Sequence, residues 1–160
     1  MQRRAPVNDA SEGRGGLPGV LEFTQDLWAL VHSLDTRSKW MHRTYGVTVP
    51  QRLLIRMVGL WPGCSPGEAA RLLRLHPASV TRLVAGLERL DLVRRSRDRA
   101  DARRLRLRLT ARGRHIGALR AGTVEQAVQR ALQRAGPANV AVARRFVNSL
   151  SRELLPAKGS

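Results

Sequence analysis

Four neighbouring residues, Ala78, Ser79, Thr81 and Arg82, combine side-chain types that can bond to base edges in duplex DNA. An arginine can bind guanine through two hydrogen bonds, a hydroxyl can bond to a base or a phosphate, and an alanine can contact a thymine methyl. Each polar residue also has a plainer interpretation. Arg82 could pair with a carboxylate of the chain, and Ser79 and Thr81 could cap a helix or face solvent. If one helix turns all four residues outward, they form a candidate surface for reading a major groove.

A dense run of arginines follows these residues. Between residues 82 and 114 there are twelve arginines and four acidic residues, so about half of the net charge of +17 lies in one fifth of the chain. Such a concentration attracts polyanions and predicts a steep salt dependence of binding. We expect Arg97, Arg99 and Arg103 to reach a minor groove or its flanking phosphates. The preference for arginine over lysine is equally compatible with a bias in genomic base composition.

Caps and apolar spacing predict the elements that position these residues. Helices are expected at 17–45, 50–61, 66–74 and 77–90, the third opening on a capping box from Ser65 to Glu68. Residues 92–97 and 104–109 form a hairpin, the second strand alternating leucine with arginine. Two short helices joined by a tight turn and followed by a hairpin describe a winged helix-turn-helix.

The apolar residues favour helices packed on helices. Aromatic residues make up only 4% of the chain, so the core must consist mainly of leucine, valine and alanine, which indicates a mostly α fold with a small β-hairpin wing. A long helix is expected at 111–135, where Gly136 and Pro137 break it before a last helix at 139–154. The buried face of the helix at 50–61 is expected to carry Leu53, Leu54, Met57, Val58 and Trp61.

These elements divide the chain into four parts. Residues 1–16 are polar and aperiodic and predict a disordered basic tail. A helix at 17–48 and helices at 111–155 flank a winged helix-turn-helix lobe at 49–110. No part of so short a chain can fully cover the apolar faces of the first and last helices. We therefore expect them to pack against the same helices of a second copy, as a homodimer.

Catalysis, metal binding and membrane insertion find no support in the sequence. The four histidines are scattered, Cys64 is the single cysteine, and there is no glycine-rich phosphate loop or paired-carboxylate motif. We expect a protein that is not an enzyme and has no metal or cofactor. No apolar run approaches the roughly 20 residues that a membrane span needs, and no signal peptide is recognisable, so we expect a cytoplasmic protein.

Two segments resemble the MarR family of bacterial transcription regulators. Residues 75–84, LHPASVTRLV, followed by Leu87-Glu88 and Leu92-Val93, are similar to the recognition helix of that family. Residues 97–103, RDRADAR, which lead to Leu107-Arg108-Leu109-Thr110 and Gly113, are similar to its wing. The chain departs from the family pattern at a helix cap, where it has His76, at a turn glycine, where it has Asp91, and at Gly86 in the recognition helix.

The resemblance implies a dimeric regulator, which we expect to be a repressor, bound to a pseudo-palindromic operator with half-sites about one helical turn apart. It also supports a role for Asp101 in orienting Arg103. Many members of the family respond to a small aromatic or anionic effector held in a cleft near the dimer helices. The candidates for such a cleft, each of which could instead be ordinary core or surface, are Trp28, His32, Trp40, Arg52 and Trp61.

Two alternatives remain open. Relatives that sense peroxide carry their reactive cysteine in the first helix, where this sequence has none, so Cys64 is expected to be an inert thiol. The alternative is a redox-active Cys64 whose pKa is lowered by exposure beside arginines. A non-specific nucleoid-associated or RNA-binding basic protein would show the same charge. The two functions differ in how strongly one duplex sequence is preferred over random duplex DNA.

Overall fold

The computed structural model describes residues 17–98, 101 and 103–155, so the predicted tail at 1–16 lies outside the described residues. The fold class is confirmed, because these residues form helices and one antiparallel two-stranded hairpin. The elements in chain order are α1 (Leu17–Tyr45), α2 (Val49–Leu60), α3 (Pro66–Leu73), α4 (Pro77–Arg89), β1 (Val93–Arg97), β2 (Leu105–Leu109), α5 (Ala111–Ala118) and α6 (Val124–Glu153).

Hydroxyl side chains begin four of the helices. Each accepts a hydrogen bond from the backbone N–H three residues further on, which satisfies one of the free donors of the first turn. These N-caps are Thr48, Ser65, Thr110 and Thr123. In α3 the Glu68 carboxylate accepts from the Ser65 backbone N–H, and this bond lowers the pKa of Glu68. Its contribution to stability is therefore present at neutral pH and is lost as the pH falls through the lowered pKa.

The hairpin is tied to the rest of the fold through its second strand. β1 and β2 pair from Val93 opposite Leu109 to Arg97 opposite Leu105. On its other edge Leu107 accepts from the Gly63 N–H and donates to the Cys64 carbonyl, both at 2.9 Å. The turn before α3 thus acts as a third strand and fixes where the hairpin leaves the fold.

One hydrophobic core lies between residues 47 and 116. It joins α2 through Leu54 and Ile55, α4 through Val84 and Leu87, and the hairpin through Leu107. We call the part of the chain from α2 to α5 the lobe. In α1, by contrast, Met41 is the one buried hydrophobic among the residues described, and none of the residues described in α6 is buried. The two long helices therefore contribute little to the hydrophobic core of the chain.

Two expectations about the helices are wrong. The helix expected at 111–135 is broken at residues 119–123, so that α5 ends at Ala118 and α6 begins at Val124. The break at Gly136 is present as a kink within α6, with φ at 77°. Leu53 on α2 and Trp61 just after it are exposed, whereas Ile55 and Arg52 are buried. Ile55 packs into the core with Leu54 and Val58, and Arg52 reaches inward to the end of α5, so the buried face is centred on Ile55 rather than on Leu53.

The described residues contain no helix that is both long and apolar enough to cross a bilayer. They also contain no group of three or more histidine, cysteine or carboxylate side chains placed to hold a metal ion.

Replacing Gly113 by alanine should strongly destabilise the lobe. A Cβ atom there would lie 1.9 Å from the Leu92 carbonyl oxygen, so backbone must move. We expect the free energy of unfolding to fall by about 3 kcal/mol, as measured by urea denaturation. The control is Gly67→Ala in the first turn of α3, where a Cβ meets nothing within 4 Å. Equal effects of the two substitutions would contradict this packing.

Candidate nucleic-acid interface

A tight turn at residues 74–76 connects α3 to α4. Arg74 ends α3 in the left-handed conformation, with φ at 54°, and Leu75 donates its N–H to the Ala70 carbonyl at 3.0 Å. His76 then caps α4, because its Nδ1 accepts from the Ala78 N–H at 3.3 Å. The imidazole thus replaces the hydroxyl or carboxylate that usually caps a helix N-terminus. Pro77 follows at the first helical position, where its missing N–H costs nothing.

The first turns of α4 present the predicted base-reading residues. Ala78, Thr81 and Arg82 are exposed, and Ser79 is half-buried. The Thr81 hydroxyl donates to the Pro77 carbonyl at 3.0 Å, which leaves its oxygen able to accept. Arg82 forms no ion pair with any carboxylate that the structure describes, so its guanidinium is available to an external acceptor. One helix face therefore brings all four together.

Every acidic residue between positions 82 and 114 is bonded to an arginine. Glu88 on α4 and Arg95 of β1 form a bidentate ion pair. Nε of Arg95 lies 2.9 Å from Oε1 of Glu88, and Nη2 lies 2.5 Å from Oε2. The hydrogen bond to Glu88 raises the pKa of the Arg95 guanidinium, which stays charged. The other three pairs are Asp91 with Arg94, Asp98 with Arg106, and Asp101 with Arg104.

Arg97 and Arg103 differ from the four described arginines that form ion pairs with these acidic residues. Arg97 at the end of β1 and Arg103 before β2 are exposed, and neither pairs with a carboxylate in the part of the chain that is described. Arg99 lies outside the described residues. The arginines that form ion pairs hold the hairpin against itself and against α4, whereas Arg82, Arg97 and Arg103 extend toward solvent.

The Asp101 side chain bonds to the backbone of Arg103 and not to its guanidinium. Its Oδ1 accepts from the Arg103 N–H at 3.0 Å, and its Oδ2 lies 3.3 Å from Nε of Arg104. The sequence led us to expect a bond to the Arg103 guanidinium instead. The carboxylate orders the turn before β2, because the Arg104 N–H also bonds to the Asp101 carbonyl at 2.9 Å.

The five candidate effector residues lie in separate places. Trp61 lines a cavity of about 760 Å³ beside α3 and β2, and Trp28 lines a groove of about 700 Å³ between α1 and α6. Trp40 packs edge-on against Tyr45, with ring centroids 5.4 Å apart, and His32 is exposed on α1. The Arg52 side chain is only 1% exposed, and its nitrogens bond to protein acceptors. Arg52 therefore has a structural role that sequence spacing did not reveal.

Cys64 lies in the turn that pairs with β2. Burial, and next the Glu68 carboxylate, raise the pKa of its thiol. Because the thiolate is the reactive form, both its shielding and its pKa make this cysteine a poor nucleophile at neutral pH.

Comparison with known proteins supports the family resemblance. Residues 45–104 match the model of the MarR family, so the resemblance of the sequence to that family is confirmed. The matched segment runs from the end of α1 to the residue before β2 and contains α2, α3, α4 and the first strand of the hairpin. No curated protein matches the sequence.

Solved structures of regulators share the fold over most of the chain. MepR from S. aureus, in complex with DNA, is 16% identical, has a TM-score of 0.68, and aligns over 83% of this chain and 98% of its own. FabT from Streptococcus pneumoniae, also in complex with DNA, is 21% identical with a TM-score of 0.63, over 87% and 97%. PcaV from Streptomyces coelicolor, with its natural ligand, is 22% identical with a TM-score of 0.65, over 89% and 97%.

The thiol of Cys64 should react slowly in the native protein. With a disulfide reagent such as dithiobisnitrobenzoate at about pH 8, we expect a rate at least about tenfold lower than in the denatured chain, because the native thiol is buried and its pKa is raised. The denatured protein serves as the control, since it contains the same single cysteine. Equal rates in the two states would contradict the buried placement.

Proposed function

Because residues 45–104 match the MarR family, we propose that the protein is a sequence-specific, double-stranded DNA-binding transcription repressor that acts as a homodimer. The observation that carries the proposal is the division of the arginines between positions 82 and 114. All four acidic residues of this segment are paired with arginines, whereas Arg82 on α4 and Arg97 and Arg103 at the hairpin turn are exposed and form no ion pair with a described carboxylate.

The exposed face of α4 suits the major groove. A B-form major groove accepts one helix, and the residues in its first turns reach the base edges. In this arrangement Arg82 binds guanine through N7 and O6, Ser79 bonds to a base or a phosphate, and Ala78 contacts a thymine methyl. Thr81 lies on the exposed side beside Arg82 and can accept from an adenine or cytosine amino group.

The hairpin suits the neighbouring minor groove. Arg97 and Arg103 stand on either side of the turn, where the negative potential of a narrow minor groove would attract them. Arg99, within the same turn of the sequence, is proposed to join them. Asp101 does not face phosphate in this proposal, because it is engaged by the Arg103 N–H and the Arg104 guanidinium.

The homodimer is supported by the apolar surface of the long helices. Phe23 of α1 meets Phe146 of α6 edge-on, with centroids 5.0 Å apart, beside a groove lined almost wholly by apolar side chains. Trp28 in that groove is 69% exposed in the protomer. So much exposed hydrophobic surface is unusual for a monomer and typical of an interface. A two-fold dimer would present two copies of α4, and so reads an inverted repeat.

Release from DNA by a small aromatic or anionic effector is part of the same proposal. PcaV, which has this fold, is known with a natural ligand. In this chain the cavity beside α3 is lined by Trp61 and Arg71, together with Glu68 and with Arg106, which is paired with Asp98. An aromatic side chain beside the cation of Arg71 matches the chemistry of an aromatic anion.

Replacing Arg82 by alanine should weaken and broaden DNA recognition. The measurement uses the duplex enriched by the wild-type protein from random DNA, which we expect to contain an inverted repeat with half-sites about one helical turn apart. Loss of two bonds to guanine should cost about 1–3 kcal/mol of binding free energy and relax the preference at one base pair of each half-site.

The control for this prediction is Arg130→Ala, which removes the same charge from an exposed position on α6. It should change affinity little and uniformly across sequences. If Arg82→Ala retains wild-type affinity and base preference, α4 does not read DNA in the proposed way.

Replacing Trp28 by glutamate should dissociate the dimer without unfolding the protomer. The side chain contributes little to the core because it is mostly exposed, whereas a carboxylate buried in a dimer interface is costly. Light scattering after gel filtration should change from the dimer mass to that of the monomer, 17.8 kDa. Gln25→Glu, an equal charge change at an exposed position of α1, is the control. A wild-type monomer, or a dimer that survives Trp28→Glu, would contradict this interface.

A further inference from the structure

Arg52 is the largest fully buried side chain of the described residues. It projects from α2 toward the junction of α5 and α6, and all of its donor nitrogens have acceptors there. Nε lies 3.0 Å from Oε1 and 3.2 Å from Oε2 of Glu125, in the first turn of α6. Nη1 donates to the Ile116 carbonyl and Nη2 to the Leu119 carbonyl. One guanidinium thus binds α2, α5 and α6 together.

The carbonyls that Arg52 binds are those that the end of α5 leaves free. The last carbonyls of a helix have no partner within it, and a cation there also interacts favourably with the helix dipole. Arg56, one turn along α2 from Arg52, adds a bond from Nη1 to the Gly117 carbonyl at 3.0 Å. Two arginines of the lobe therefore cap α5 at the point where the chain turns into α6.

The same turn is held from α1. The Tyr45 hydroxyl donates to the Ala121 carbonyl at 2.7 Å. The Trp40 ring lies so close to Gly122 that a Cβ at that position would be 2.3 Å from it. Residues 119–123, which connect α5 to α6, are thus contacted both by α1 and by Arg52 of α2. This junction connects the lobe that carries α4 to the long helix proposed for the dimer.

We propose that Arg52, paired with Glu125, is a positioning residue that fixes the direction of α6 relative to the lobe. A consequence for DNA binding rests on the proposed function. The same pair sets the distance between the two α4 helices in the dimer, and therefore the half-site spacing that the dimer binds.

The planar fork of arginine explains why this residue type is required. It can serve a carboxylate on one edge and two separate carbonyls on the other, in fixed directions. Lysine would keep the charge and lose the fixed directions. A second link between the same bodies, from Arg74 Nη1 to Asn148 Oδ1, is exposed to solvent and serves as the comparison. Exposed contacts of this kind contribute little, so we assign the positioning to Arg52.

The first measurement follows the angle between α6 and the lobe within one protomer. Spin labels are placed through Arg89→Cys on α4 and Arg134→Cys on α6, both exposed, in a Cys64→Ala background. Labelled protein is diluted with unlabelled protein so that pulsed dipolar spectroscopy reports distances within the protomer. The tested variants are Arg52→Lys and Glu125→Gln, and the matched control is Asn148→Ala.

Wild type and Asn148→Ala should give one narrow distance distribution. Arg52→Lys and Glu125→Gln should broaden it about twofold or shift its maximum, as expected when a fixed joint becomes a hinge. Circular dichroism establishes that each variant is folded. Glu125 is about one third exposed, with a side-chain exposure of 35%, so Glu125→Gln carries the test if Arg52→Lys does not fold. Unchanged distributions in folded variants would overturn the proposal.

The second measurement asks whether the joint sets operator spacing. Affinity is compared for duplexes in which the half-sites of the selected operator are moved by one or two base pairs. Wild type should lose about tenfold or more per added base pair, whereas Glu125→Gln should bind the series with nearly equal affinity. A broadened distance with an unchanged spacing preference would overturn the consequence for DNA. If wild type prefers no duplex, the proposed function fails, and the distances still decide the role of Arg52.

Discussion

Each acidic side chain between positions 82 and 114 is paired with an arginine. These ion pairs determine which arginines of the segment remain available to an external anion. The segment holds three arginines for every acidic residue, and like charges so close together repel. Glu88 attaches β1 to α4, and Asp98 attaches β2 to the turn after β1. Each exposed pair contributes at most about 1 kcal/mol. Their effect lies in direction, because they hold the hairpin against α4 and order its turn, whereas Arg82, Arg97 and Arg103 form no ion pair with a described carboxylate.

The chain combines a lobe that has a hydrophobic core with two long helices that are mostly exposed. The lobe has its own core, from Val47 to Ile116, and contains most of the segment that matches the MarR family. The helices α1 and α6 keep most of their apolar side chains at the surface. The lobe and α6 are connected by hydrogen bonds and an ion pair that Arg52 forms. A hydrophobic contact would tolerate sliding, whereas hydrogen bonds to fixed carbonyls specify an angle.

Local interactions made much of the fold predictable. The Ser65–Glu68 capping box lies within four residues, and the break at Asp91, with φ at 52°, falls where a turn residue is expected. The bonds that sequence reasoning missed join distant residues. Arg52 and Glu125 are 73 positions apart, and nothing in either segment indicates the other. The buried face of α2 also differs from the expected one, because the distant elements packed against it decide which of its apolar side chains face the core, and they cover Ile55 rather than Leu53.

The predicted reading residues of α4 are placed on one face because helical periodicity alone determines that placement. Their contacts with DNA depend on a partner and remain part of the proposal. The most direct test is the ratio of affinities, at one salt concentration, for the selected inverted repeat and for random duplex of equal length. A sequence-specific regulator should prefer the inverted repeat by about 10³-fold or more. Equal affinity for the two duplexes would contradict it and would indicate a non-specific nucleic-acid-binding protein.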